Sequence, residues 1–253
     1  MLPEPTSTSI LTSYEITSYY RLRQAIGVLG IFLAPVLTLG SRIFGHCQIS
    51  QPSISHYYYS IMHIVFVGTL CVLGGFLLAY RVKNKLENTI SNLAGLFAFG
   101  VATFPTGFKG FAGPGGDSCQ FISIVTANPD NFVPGYVGKV HFIFAGLLFT
   151  CFAIFCFKFF QELDEGSEPG IKKQRRNRVY RACGWMIVAS IALIGAITLY
   201  DSFHKPHEIW PDYIYWLETT SLVPFGFSWL LKGSGSWAKS RHGWLRNAIS
   251  YFR

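Results

Sequence analysis

The stretch from His56 to Tyr80 constrains this chain more than any other part of it. It is a hydrophobic run long enough to cross a bilayer, since about 20 apolar residues at ~1.5 Å each span a ~30 Å hydrocarbon core. Its first third carries polar groups that an ordinary spanning helix avoids. Read as one helix, it places His56, Ser60 and His63 at i, i+4 and i+7, on a shared face. Tyr57, Tyr58 and Tyr59 mark the interface, where amphipathic rings prefer to sit. An ionisable side chain inside a membrane helix is costly and points to function.

The rest of the chain agrees with a membrane setting. Of its 253 residues 50% are hydrophobic and only 13% are charged, against ~25% charged in soluble domains. The formal charge of +8 fits basic loops held on the cytoplasmic side better than it fits nucleic acid, and no nucleic-acid partner is expected. Five more apolar stretches cover about 22–44, 90–104, 137–160, 182–200 and 213–231. The fold class predicted is therefore all-α: a bundle of six transmembrane helices with both termini cytoplasmic. In this reading 1–21 is a polar, frayed or interfacial segment and 22–232 is the membrane domain. The tail, 233–253, interleaves Trp237, Trp244, Leu245 and Ile249 with Lys239, Arg241 and Arg246, the pattern of an amphipathic helix on an anionic membrane surface.

Charge tests the orientation. With both ends inside, 17 of the 21 Lys and Arg fall on the cytoplasmic side, leaving Arg42, Lys109, Lys139 and Lys205 outside. Such a bias is what the positive-inside rule requires. Ala94, Ala98 and Ala102 recur every four residues, a small-residue stripe that lets helices approach closely. The glycine- and proline-rich 108–135 is the longest connection and reads as a cover over the outer side.

This topology gathers the polar residues. His63, His141 and Glu218 come to similar depths, roughly 6–9 Å below the outer boundary, on three different helices. Asp201 caps the outer end of the fifth span, and His204 and His207 crowd the loop above it. The picture is a polar pocket under the outer rim, lined by His56, Ser60, His63, His141 and Glu218. A histidine near a helix end often only bonds a carbonyl. A carboxylate within a membrane helix, as at Glu218, must be protonated, paired or hydrated. Cys47 and Cys119 both fall in outer loops and are expected to form a disulfide. Cys71, Cys151, Cys156 and Cys183 read as inert core residues.

Several functions would use this one pocket. In the first, it binds a lipid or other amphiphile, and membrane lipids are the partners. In the second, His63, His141, His204 and His207 hold zinc, and Asp201 or Glu218 serves as base towards a metal-bound water beside Ser60, in a hydrolase of lipid amides or esters. A haem held by His63 and His141 is a third reading. A transporter is disfavoured by the lack of internal repeats and of charge at mid-membrane.

The blocks SISHYYYSIMHIVFVG, NLAGLFAFGVATFPTG, GKVHFIFAGLLF, KQRRNRVYRACG and WLETTSLVPFGFSWLLKG carry a resemblance over most of residues 50 to 232. They resemble a family of uncharacterised bacterial multi-pass membrane proteins, of the domain-of-unknown-function kind. The resemblance implies a bacterial inner-membrane protein of six helices and no particular activity. The family tends to carry an Arg-Asp pair where this chain has His63-Ile64, which puts a shared ion pair there in doubt. The Ser, Asp and His set is also chemically similar to that of alkaline-ceramidase-type membrane amidases. Those have seven helices and Ser-x-x-x-His and His-x-x-x-His spacings, whereas this chain has Ser60-x-x-His63 and His204-x-x-His207.

Overall fold

A computed structural model describes residues 7–47, 50–107, 135–162, 170–203 and 212–234, without the side chains of 7–17, 172 and 202. The described residues are helical and contain no strand. Six α-helices follow one another: α1 (Ser7–Gly45), α2 (His63–Ala79), α3 (Lys85–Thr103), α4 (Gly135–Ile154), α5 (Ile171–Phe203) and α6 (Tyr213–Ser234). Each corresponds to one of the apolar stretches. A 3₁₀ helix over Ile54–Tyr59 precedes α2, and a π-helical turn over Phe155–Phe159 ends α4. Three helices are long and apolar enough to cross a membrane, over Ser18–Gly45, Gly135–Phe159 and Lys173–Asp201.

The ends of these helices are set locally. Asn84 caps α3, its Oδ1 accepting from the Leu86 and Glu87 amides. Asn88 then clamps the α2–α3 connection, donating to the Val82 carbonyl and accepting from the Val82 amide, both at 2.7 Å. α1 closes at His46, which takes the left-handed conformation (φ 51) in which helices commonly end. At its start, α1 runs back to Ser7 through the Ser/Thr-rich segment that reads as frayed or interfacial.

Each helix packs on its neighbours in sequence, and α6 returns to pack on α1, so the six close a ring. Directions alternate. The start of α1, the end of α2, the ends of α4 and α6 and the start of α5 meet through Arg23, Tyr80, Phe160, Trp229 and Tyr180. We call this the terminal end. At the far end, Tyr59 reaches the Thr106 carbonyl and His141 the Phe104 carbonyl. Phe152 and Phe225 stack at 3.5 Å between α4 and α6, within a core that includes Leu37, Phe66, Leu77 and Phe155.

Glycine sets two close crossings. A Cβ on Gly27 of α1 would lie 2.6 Å from the Gly226 carbonyl of α6. One on Gly95 of α3 would lie 2.8 Å from the Gly74 carbonyl of α2. Ala94, Ala98 and Ala102 are buried beside that second crossing, and Ser91 donates to the Leu77 carbonyl across it at 2.6 Å. Backbones meet directly at both places, as small residues allow in membrane bundles.

Candidate functional site

The second hydrophobic run is not one helix. Ser53 caps the 3₁₀ segment, its Oγ accepting from the His56 amide and lying 2.6 Å from His56 Nδ1. The segment stops at Ser60, where the backbone turns extended (φ −106, ψ 173). The Ser60 hydroxyl donates to the Tyr57 carbonyl and accepts from the Met62 amide. Local side-chain bonds of this kind compete with the helical ladder. The shared face expected of His56, Ser60 and His63 is therefore lost: the first lies on the 3₁₀ helix, the second in the break, and the third opens α2.

The start of the 3₁₀ segment creates a task for Glu218. Freed from any helix ladder, the Ile54 amide donates to Glu218 Oε2 at 2.6 Å, and the Ser55 hydroxyl lies 3.5 Å from Oε1. The neighbouring contacts hold α6 in the same place. The Tyr215 amide donates to the Pro52 carbonyl at 3.1 Å. The Tyr215 and Tyr57 hydroxyls meet Thr38 of α1 at 2.7 and 3.1 Å. Glu218 thus anchors the 3₁₀ segment to α6, a carboxylate at the positive end of a short run of peptide dipoles. Ser55 bonds the carboxylate through its amide as well as its hydroxyl, which with the Ile54 amide leaves about one of a carboxylate's roughly four acceptor positions open.

Below that carboxylate runs a narrow cleft. Leu33, Phe66, Leu70, Leu148 and Phe149 line it, from α1, α2 and α4, with Glu218, Ser55 and Thr69 as its polar groups. Its volume of about 40 Å³ is room for roughly three waters.

The other expected pocket residues go elsewhere. His63 Nδ1 lies 2.5 Å from the Tyr58 carbonyl and its ring packs edge-on to Tyr58. His141 is buried, with Nδ1 2.6 Å from the Phe104 carbonyl. Neither lines the Glu218 cleft, nor do Ser60 and His56. The helices bearing His63 and His141 are separated in the packing order by α3. Asp201 lines a shallow surface hollow with Tyr200, Ala196 and Ile197. Among the described residues no three His, Cys, Asp or Glu come together as metal ligands; His204 and His207 lie outside those residues. Cys47 is disulfide-bonded, and its expected partner Cys119 also lies outside them. Cys71, Cys151, Cys156 and Cys183 are free thiols.

A second polar site, at the terminal end, escaped the sequence reading. Arg23 donates through Nε and Nη2 to the Tyr80 hydroxyl, at 3.2 and 2.6 Å, and through Nη2 to the Tyr19 hydroxyl. Tyr80 in turn donates to Glu87 at 2.7 Å. The guanidinium lies 4.3 Å from the centre of the Tyr19 ring, which stacks on Tyr80. A tyrosine thus bridges a buried cation and a buried carboxylate, joining α1, α2 and α3. Burial pushes the Glu87 carboxyl, which precedes the apolar part of α3, above the usual carboxylate range, while the Tyr80 bond and the Arg23 charge act against this. The available signal was slight. Glu87 is the sole acid among Arg81, Lys83 and Lys85, and Arg23 continues the face of Tyr19 by four residues.

Against this cluster rests Trp229, fully buried, its ring 5.1 Å from those of Tyr80 and Phe155. Its Nε1–H has no acceptor among the described residues. Trp229→Phe keeps most of the ring contact and removes an unpaired buried donor. Thermal unfolding in detergent should therefore show a loss of less than ~1.5 kcal/mol, well below the ~3–5 kcal/mol of an aromatic truncated to alanine.

No protein-family model, no curated protein and no solved structure matches this chain.

Proposed function

We propose that the protein is a bacterial inner-membrane protein that crosses the bilayer six times, with both ends cytoplasmic, and that the Glu218 cleft receives a membrane amphiphile. Every helix turns large apolar side chains outward: Phe32, Ile64 (81% exposed), Leu96, Ile143, Leu193 and Phe227, one from each. Soluble proteins rarely expose so continuous an apolar surface. The 17 residues of α2 reach only ~25 Å, and the 3₁₀ segment ahead of it supplies the remainder of a crossing. The charge bias of the loops then puts the terminal end inside.

What carries the binding reading is a carboxylate with spare accepting capacity at the top of an apolar cleft between helices. Sites of this composition take an apolar body and fix it with a few polar groups. The ligand class is an amphiphile with a hydrogen-bond donor in its head, a hydroxyl or an amine, facing Glu218 Oε1 and Ser55. An occupant larger than a few waters has to spread the helices that line the cleft. The described residues hold no comparable arrangement for the zinc or haem readings.

The test is mass spectrometry of lipids that copurify with the protein in mild detergent. Glu218→Gln preserves an acceptor for the Ile54 amide, and Leu70→Trp fills the cleft. Each is expected to lower a specific copurifying amphiphile about tenfold, the loss of roughly one charge-assisted hydrogen bond. Equal lipid profiles in wild type and both variants would overturn the proposal.

A further inference from the structure

We infer that the Glu218 cleft selects an amphiphile that carries an acyl carbonyl below its head, and that the hydroxyl of Thr69 holds that carbonyl. The inference rests on the amphiphile reading of the cleft and narrows its ligand class to fatty-acyl esters and amides of a small polyol or amino alcohol. Three of the side chains lining the cleft are polar: Ser55, Thr69 and Glu218. Ser55 and Glu218 are bonded to each other, and Glu218 also holds the Ile54 amide. Thr69, on α2, bonds no described group through its hydroxyl.

Other helical hydroxyls in the bundle are disposed of locally. Thr89, Thr150 and Thr219 each donate to the carbonyl four residues back in their own helix, at 3.0, 2.7 and 2.8 Å. Such a back-bond satisfies the hydroxyl without a partner from elsewhere. An O–H left without an acceptor in apolar surroundings carries a free-energy cost instead. Thr69 lies in the second turn of α2, so ~9 Å along the helix from its start at His63. Phe66, Leu70 and Leu73 line the cleft from the same helix, so the hydroxyl sits among apolar groups.

The two capacities that the cleft leaves open are of opposite kinds. The carboxylate has an acceptor position to fill and needs a donor, whereas the Thr69 hydroxyl has a proton to give and needs an acceptor. A long-chain alcohol or amine serves only the first. An acyl ester of glycerol, or an acyl amide of an amino alcohol, serves both: a hydroxyl at the tip, a carbonyl a few bonds below it, then an apolar chain. Leu33, Leu73, Leu148, Phe152 and Leu222 supply the apolar lining for that chain, the composition expected of a site in which a few polar groups fix the orientation. Thr69 is thus a specificity residue, deciding what chemistry below the head is accepted.

The full chain, delipidated in dodecyl maltoside, tests this by native mass spectrometry with two probes, monooleoylglycerol and the oleyl ether of glycerol. They share head and chain, and only the ester has a carbonyl. Wild type is expected to bind the ester about fivefold more tightly, the worth of one neutral hydrogen bond. Thr69→Val keeps the shape of the side chain and should abolish that preference, whereas Thr69→Ser keeps a hydroxyl and most of the preference. Thr150→Val removes a hydroxyl that α4 satisfies outside the cleft and should leave the preference intact. Glu218→Gln should weaken both probes alike. Equal affinity of wild type for the two probes overturns the assignment to Thr69 while the cleft reading stands. So does a preference that persists in Thr69→Val, the result expected of a hydroxyl turned onto its own helix. Failure of both probes to bind, or no loss with Glu218→Gln, overturns the cleft reading and the assignment with it.

Discussion

Arg23→Ala is expected to cost ~3–5 kcal/mol of stability, the range for breaking a buried ionic network by removing one partner. Arg23 is 8% exposed, and its loss leaves the Glu87 carboxyl buried behind Tyr80 with only the weaker influence of Lys232 to balance it. Lysine should rescue little. A single ammonium cannot place two donors on Tyr80 and one on Tyr19 while stacking on the Tyr19 ring. The carboxylate side of the network behaves differently. Because burial dominates at Glu87 and raises its pKa, the charged form gains little from being there. Glu87→Gln, which still accepts from Tyr80, should cost less than half of what Arg23→Ala costs, whereas Glu87→Ala approaches it. The sign of the pH effect follows from the same shift. A carboxyl whose folded pKa lies above its unfolded value, ~4.3, contributes stability below that unfolded value. The contribution is lost as pH rises through the folded pKa. Glu87→Gln should flatten that limb of the profile. Unfolding in detergent between pH 4 and pH 8 reads all four variants, and a Glu87→Gln loss as large as that of Arg23→Ala would refute this account of the network.

The second large effect belongs to the α1–α6 crossing. Gly226→Val places a branched side chain against the Gly27 carbonyl and within 2.7 Å of the Ile31 side chain. Neither helix backbone can yield without moving the other, so the ring must open along its closing seam. A loss of more than ~4 kcal/mol is expected, in the class of severe overpacking. Gly75→Val is the matched control. A Cβ at Gly75 meets nothing within 4 Å, and the same substitution on α2 should stay within about 1 kcal/mol. Detergent-solubilised yield and unfolding midpoint separate the two. Equal behaviour would mean that the seam does not hold the ring.

Much of this architecture was legible from hydrophobicity, because in each apolar stretch the burial of backbone polar groups leaves helix as the local solution. What stayed hidden depended on long-range pairs or on competition within a few residues. Ser60 looked like one more position on a helical face, yet its hydroxyl bonds to Tyr57 and Met62, and it ends the 3₁₀ segment there. Glu218 was recognised as a costly carboxylate. Its partner is a backbone amide 164 positions away, which no pattern in the sequence marks. The histidines lie near helix ends as expected, but His63 bonds the Tyr58 carbonyl five residues back and His141 the Phe104 carbonyl just past α3. Arg23 was absorbed into the count of cytoplasmic Lys and Arg and Glu87 was passed over, since a charge at the edge of an apolar run looks the same whether it faces water or a tyrosine.

The seam between Gly27 and Gly226 also has a consequence for how the protein is made. The two glycines that meet there are about 200 residues apart, so at ~5–20 residues per second the first helix leaves the ribosome roughly 10–40 seconds before its final neighbour. Throughout that interval α1 has only α2 to rest on, and the groove cut for α6 stands open to lipid or to the insertion machinery. α6 completes α1, so a ribosome that stalls before α6 leaves behind an open arc of helices with two raw edges.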